Sequence, residues 1–170
     1  WLLNGAKMFI TQGTVGDVFV VLAVTNAAKK QKGITAFILE KGYRGFSQRS
    51  IHGKLGMRSS DTSELLLENV EVPDSQRLGE VDRGFIDTMQ ILDGGRITIG
   101  ALSVGLGAAA IRESVKYSRD RSAFGQPIGD FQAIRWMLAD MQTEIDASRM
   151  LVYRSAAMAD AGQPYTREAS

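Results

Sequence analysis

Asp93-Gly94-Gly95-Arg96 is the stretch whose residue types most directly suggest a ligand. A carboxylate and a guanidinium three positions apart can pair with each other or meet polar groups, and the two glycines between them let a ligand approach the backbone. On the residues alone a salt-bridged pair, with glycines that serve helix packing, accounts for the same stretch. Few other residues in the chain invite chemistry. There is no Cys, which excludes disulfide scaffolds, thiol catalysis, Fe–S clusters and Cys-ligated zinc within the chain. The single His, His52, stands beside Gly53-Lys54 and reads as a surface or rim residue, so no His–His metal site exists and no metal is expected. Glu64, Glu68, Glu71 and Glu80 read as strand-edge and loop charges. Phe9-Ile10-Thr11 reads by pattern as strand core closing on a hydroxyl, and Arg119-Asp120-Arg121 as a surface charge cluster.

Two kinds of element must position these residues. To about Pro73 the chain is strand-like. Asn4-Gly5, between two short extended runs, carries the strongest short hairpin signal. Asp17–Thr25 and Gly33–Glu40 are rich in β-branched and aromatic residues, with an exposed polar turn over Asn26–Lys32 between them. Gly45–Ile51 and Glu64–Val72 supply further half-buried strands, together a small antiparallel barrel or sandwich. From Gly84 the period changes. Phe85, Met89, Leu92, Ile99, Leu102, Leu106 and Ala109 follow helical steps on one face, to about Arg119. Ile134, Leu138, Met141, Ile145, Ser148 and Val152 do the same in a second helix starting near Ile128. The link Asp120–Gly129 holds the helix breakers Gly125, Pro127 and Gly129. Gly162-Gln163-Pro164 ends the second helix, and a third is expected from Tyr165. The expected fold class is α+β: a β-barrel-like domain over residues 1–78, then residues 79–170 as a long antiparallel helical hairpin, helices about 84–119 and 128–160, forming part of a four-helix bundle. Such a hairpin leaves a face for further helices or another subunit. Gly94, Gly95, Gly100, Gly105 and Gly107 in one helix each cost about 1 kcal/mol relative to Ala, which close helix packing or ligand access must offset.

The composition is that of an ordinary globular chain. Of 170 residues 44% are apolar and 23% charged, enough for a core without staples. Twenty Lys and Arg against nineteen Asp and Glu leave a net charge of +1, so no nucleic-acid surface is indicated. No uninterrupted apolar run reaches the roughly 18 residues of a membrane span. The chain reads as a piece of a longer one, beginning in a strand at Trp1 and stopping in a helix at Ser170.

Three segments, in order and spacing, resemble the acyl-CoA dehydrogenase family. Asn4-Gly5-Ala6-Lys7-Met8-Phe9-Ile10-Thr11 is similar to the family's N-G-x-K-x-W-I-T. Leu92-Asp93-Gly94-Gly95-Arg96, followed by Gly105, is similar to the head of its C-terminal helical domain. Arg121-Ser122-Ala123-Phe124-Gly125-Gln126-Pro127-Ile128, running to Phe131-Gln132, is similar to R-x-x-F-G-x-x-[IL]-x-x-x-Q. Lys54–Thr62 and Val72-Pro73 fit the linking strands.

The resemblance implies FAD-dependent α,β-dehydrogenation of an acyl-CoA thioester, an all-helical domain ahead of Trp1, and a homodimer or homotetramer. It implies that Phe9, Ile10 and Thr11 meet the isoalloxazine ring, with Phe9 where Trp is common. It implies that Arg121, Phe124 and Gln132 bind the FAD of a neighbouring subunit, Arg121 at the diphosphate. Asp93, Gly94, Gly95 and Arg96 would line the acyl-CoA cleft. Gly95 stands where some members place the catalytic Glu, so no catalytic residue is expected within the chain, and the base is expected in a Tyr/Phe-Glu-Gly segment beyond Ser170. The bare Gly94-Gly95 pair is closer to short-chain, butyryl-CoA-like members. An electron-transfer flavoprotein is the expected acceptor, and the bacterial cytoplasm or mitochondrial matrix the expected compartment. An acyl-CoA oxidase, a flavin monooxygenase, or a non-catalytic oligomerising fragment are the alternatives.

Overall fold

The computed structural model describes all 170 residues, in two compact units, Trp1–Thr88 and Met89–Ser170. In the first unit the antiparallel strands are β1 (Leu2–Thr11), β2 (Val18–Val24), β3 (Ile34–Glu40), β4 (Phe46–Ser50), β5 (Thr62–Glu71) and β6 (Arg77–Leu78). They form two three-stranded sheets, ordered β1-β5-β4 and β2-β3-β6. Period-2 alternation sends Phe19 and Val21, Phe37 and Leu39, and Leu65 and Leu67 inward, where they meet Leu3, Phe46 and Val70 in one core. Phe19 and Phe46 meet edge to face at 5.2 Å, and Trp1 meets Phe37 at 5.3 Å.

Two bulges shape the β1–β5 ladder. Leu3 pairs with Val70 and Gly5 with Leu67, so β5 carries an extra residue, with Asn69 at φ +53°. The Asn4 side chain accepts from the Asn69 N–H at 2.8 Å. Asn4-Gly5 therefore lies within one continuous strand, and the expected hairpin is absent. The positive φ that the dipeptide tolerates is used here at a bulge, with Gly5 at φ +140°. The second bulge is in β1 itself. Lys7 pairs with Leu65 and Ile10 with Ser63, leaving the extra residue on β1, where Phe9 takes φ +59°.

The Asn26–Lys32 turn is a 3-10 segment over Ala27–Gly33. A hydrogen-bond cluster ties it to the start of α1 (Gly84–Asp120). Thr25 Oγ1 donates to Asp82 Oδ1 at 2.8 Å, Asp82 N–H donates to Thr35 Oγ1 at 2.9 Å, and Lys29 Nζ meets Asp82 Oδ2 at 2.7 Å. The Lys29 and Thr25 hydrogen bonds hold the Asp82 carboxyl below the usual carboxylate range. At Gly84 a Cβ would come within 2.9 Å of the Ala36 backbone N, so glycine lets the helix start lie against β3.

In the second unit α1 and α2 (Gln132–Asp160) are joined by a hairpin, β7 (Ser122–Ala123) with β8 (Gln126–Pro127), and a 3-10 turn over Ile128–Asp130. α2 ends in a Schellman motif. The Gly162 N–H reaches Ala159 O at 3.0 Å and the Gln163 N–H reaches Met158 O at 2.9 Å, with Gly162 at φ +65°. Residues 166–169 form turns, with the Ala169 N–H donating to the Tyr165 carbonyl at 2.9 Å, a single α-type bond at the place where a third helix is expected to start. The face of α1 that meets α2 is also not the expected one. Leu102 and Leu106 are exposed, whereas Ile111 and Ser118 are buried and Gly100 and Gly107 touch Val152 and Ile145. Apolar residues occupy both faces, and the small ones take the close approach. By length and composition alone α1 is apolar enough to cross a membrane. Counting unbroken apolar runs misses this, because Thr98 and Ser103 interrupt the Ile-, Leu-, Val- and Ala-rich stretch between Arg96 and Arg112.

Candidate functional site

In the β unit the expected cofactor residues sit at the end of β1. The bulge turns Phe9 out of the alternation and leaves it 72% exposed. A bulge is a means of re-aiming a side chain beside a site. Ile10 packs against the core, so its side chain is held away from any ligand at the surface. Thr11 is exposed and pairs with Thr62. The turn after it is pinned by Asp61, whose carbonyl accepts the Gln12 N–H at 3.0 Å and whose Oδ2 accepts the Thr14 N–H at 2.8 Å. The Thr14 N–H and hydroxyl hold the Asp61 carboxyl below its ordinary value. A Cβ at Gly13 would lie 1.7 Å from Ser63 Oγ, so the turn is packed tightly on β5. Thr11 thus stands on a rigid corner.

In the helical unit Phe124 and Gly125 form a two-residue loop with φ +52° and +83°, as a type I′ hairpin turn requires. A Phe at such a φ is strained by roughly 1–2 kcal/mol, yet Phe124 is 97% exposed, with its ring edge-on to Phe131 at a centroid distance of 6.2 Å. Phe9 and Phe124 are the aromatic residues at positive φ in the chain. Strain held at an exposed aromatic is the observation from which a ligand contact is argued. The Arg121 backbone is fixed, its N–H donating to Tyr117 O at 2.9 Å and its carbonyl accepting the Ile128 N–H at 2.8 Å. Its side chain and that of Gln132 are exposed.

The Asp93–Arg96 stretch lies on α1. Asp93 is buried, with Oδ1 2.8 Å from Arg96 Nη1 and Oδ2 accepting the Thr166 hydroxyl at 2.6 Å. Arg96 Nη1 also donates to Ser170 Oγ at 3.3 Å. The five glycines of α1 divide. A Cβ at Gly100 would meet Val152 Cγ2 at 3.0 Å and one at Gly107 would meet Ile145 at 3.3 Å, whereas Gly95 and Gly105 face open space and Gly94 lies 3.9 Å from the Tyr165 hydroxyl. Packing explains Gly100 and Gly107 and leaves Gly95 and Gly105 unexplained. Gly95→Ala is therefore expected to raise the melting stability by up to about 1 kcal/mol, the helix-propensity gain. Gly100→Ala should give none of that gain, because Val152 must move. Parallel thermal melts of the two variants check this.

A candidate that the sequence did not single out is Lys54. Its ammonium reaches Met57 O at 2.8 Å, Thr62 Oγ1 at 3.0 Å and the Ser60 carbonyl, which uses all its donors to fold the 54–62 loop. The loop holds up an exposed tip, Leu55 and Met57. His52 beside it is exposed.

Residues 1–70 match the model of the acyl-CoA dehydrogenase middle domain, and residues 82–170 that of the acyl-CoA dehydrogenase C-terminal domain. The whole chain is 44% identical to a short-chain-specific acyl-CoA dehydrogenase of Clostridium acetobutylicum and spans 45% of that protein. Among solved structures it is similar to butyryl-CoA dehydrogenase from Megasphaera elsdenii, with TM-score 0.90 and 44% identity over 99% of this chain and 44% of that one. It is also similar to PigA, described with FAD and proline, with TM-score 0.93 and 31% identity over 99% of this chain and 44% of that one. The chain thus spans under half the length of these relatives.

Proposed function

The chain belongs to the acyl-CoA dehydrogenase family, and from that premise we propose that the protein containing it carries out FAD-dependent α,β-dehydrogenation of a short-chain acyl-CoA. The observation that carries this reading is the 44% identity over all 170 residues to a short-chain-specific member. Bound FAD supplies the hydride acceptor, and the protein supplies orientation, electrostatics and exclusion of water.

The residues present suit that cofactor. An exposed aromatic face at Phe9 packs on a planar ring system, and a rigidly placed Thr11 hydroxyl either donates or accepts as the ring's redox state changes. The main chain of Ile10 lies between them. Arg121 presents a planar fork suited to two diphosphate oxygens. Phe124 would pack near the adenine end, and Gln132 would hydrogen-bond in the diphosphate or ribose region. The β part, to residue 78, holds the flavin-facing groups, and residues 79–170 hold the diphosphate and substrate groups. Gly94 and Gly95 leave the space the acyl thioester fills, and Arg96 offers it a polar contact. No carboxylate of these 170 residues takes the α-proton; the base is a Glu in a Tyr/Phe-Glu-Gly segment outside them.

The exposed face of α1 around Leu102 and Leu106 leaves room for further helices or another subunit, and in a homodimer or homotetramer a neighbour would complete the FAD site. The electron acceptor is an electron-transfer flavoprotein and the compartment the bacterial cytoplasm or the mitochondrial matrix. The test uses the full-length protein. We expect flavin absorbance near one per chain, and butyryl-CoA oxidation coupled to an electron-transfer flavoprotein. Absence of flavin, or rapid peroxide formation with no protein acceptor, would overturn the reading.

A further inference from the structure

We propose that Asp93 is a positioning residue: it orients the Arg96 guanidinium and straps residues 165–170 onto α1 without touching substrate. The proposal deepens the reading above and rests on Arg96 meeting the acyl-CoA.

The Asp93 side chain is 13% exposed, and both its oxygens are engaged, one by Arg96 at 2.8 Å and the other by the Thr166 hydroxyl at 2.6 Å. Both bonds are charge-assisted and short. With both oxygens engaged and little of the side chain at the surface, this carboxylate is committed to Arg96 and Thr166. The Arg96 side chain is 44% exposed, so the guanidinium is reachable while one of its nitrogens is held. A long guanidinium stem that is already oriented loses less rotamer freedom when it meets a ligand.

The strap has a second anchor. Buried Ser155 on α2 donates its hydroxyl to the Glu168 carbonyl at 2.7 Å. Residues 165–170 are thereby held from both helices, and the strap places the Tyr165 hydroxyl beside Gly94, 3.9 Å from where a Cβ would stand. Asp93 joins the strap to Arg96 through Thr166, beside the direct bond of Arg96 Nη1 to Ser170 Oγ at 3.3 Å. Weakening Thr166 should therefore be felt at Arg96, although Arg96 and Thr166 do not bond each other.

A double-mutant cycle in the full-length protein tests this, with kcat/KM for a short acyl-CoA as readout and flavin content and melting temperature as controls. Asp93→Asn, which keeps the shape and loses the charge, should lower kcat/KM about tenfold in the native background and less than about twofold in Arg96→Ala. Thr166→Val should lower it in the same Arg96-dependent way, and Thr166→Ser should restore it. Equal losses in both backgrounds would overturn the proposal, because Asp93 would then act on its own or only through the fold. An Arg96→Ala variant with unchanged kcat/KM would overturn the substrate reading itself, and the proposal with it.

Discussion

Phe37→Ala should cost the β unit about 3–5 kcal/mol, measured by chemical denaturation. Phe37 has no exposed surface, and it sits on β3, the central strand of its sheet, between β2 and β6. From there it points toward Leu65, Leu67 and Val70 of the other sheet in the shared core, with Trp1 edge-on at 5.3 Å. Removing the ring loses its transfer free energy, and leaves a cavity that two facing sheets can only partly close. A domain of ordinary stability, about 5–15 kcal/mol, would lose a large share of it. Val20→Ala is the control. Val20 is on β2, in the opposite phase of the alternation, and is exposed; the change should stay within about 0.5 kcal/mol. A Phe37→Ala cost no larger than that of Val20→Ala would show that the two sheets do not share this core.

The strands were legible in the sequence from their β-branched and aromatic content, but their inward faces were not. Val18 and Val20 flank Phe19, Ala36 and Ile38 flank Phe37, and Leu66 stands between Leu65 and Leu67, so apolar residues fall in both phases and only the packing of the second sheet picks one. Asn4-Gly5 was not legible. The same dipeptide serves a hairpin or a bulge, and which one forms depends on a strand some sixty residues away, where Asn69 meets the Asn4 side chain. The Phe9 bulge was hidden for the same reason, since only the register of β5 shows that β1 has a residue too many. On α1 the helical period was plain but the choice of face was not. Leucines suggested one side, whereas Gly100 and Gly107 let α2 approach on another.

The site was legible by type more than by role. Asp93, Gly94, Gly95 and Arg96 stood out as a set, yet spacing alone cannot show that Asp93 is covered while Gly95 faces open space. Thr166, the partner that covers one Asp93 oxygen, gave no signal. Seventy-three residues separate the pair, and a Thr after a Tyr near a helix end is unremarkable in composition. Gly125 was read as a helix breaker in the link, and Phe124 as a cofactor contact only through the resemblance. The structure adds that a bulky ring, not only a glycine, occupies a positive-φ position there.

Arg121→Ala in the full-length protein should weaken FAD retention by about 1.5–3 kcal/mol, roughly 10- to 150-fold in Kd, the worth of a charge-assisted bond to a charged group. Two features make this a clean substitution. The Arg121 side chain is exposed, and no hydrogen bond or ion pair in the chain uses its guanidinium, so folding stability should change by no more than about 1 kcal/mol. Its backbone is fixed at both the N–H and the carbonyl, so the α1–β7 junction keeps its shape whatever the side chain. A competing role exists, because a cation just past the C-terminus of α1 also favours the helix dipole, by about 0.3–1 kcal/mol. Arg121→Lys separates the two. Lys keeps the charge for the dipole and loses the planar fork, so it should preserve the melting temperature and still lose part of the flavin retention. The readout is flavin remaining after dialysis. If Arg121→Ala keeps its flavin, Arg121 leaves the diphosphate site. The strained Phe124 turn, anchored seven residues apart by the Arg121 carbonyl and the Ile128 N–H, would then need a different ligand to explain its exposed ring.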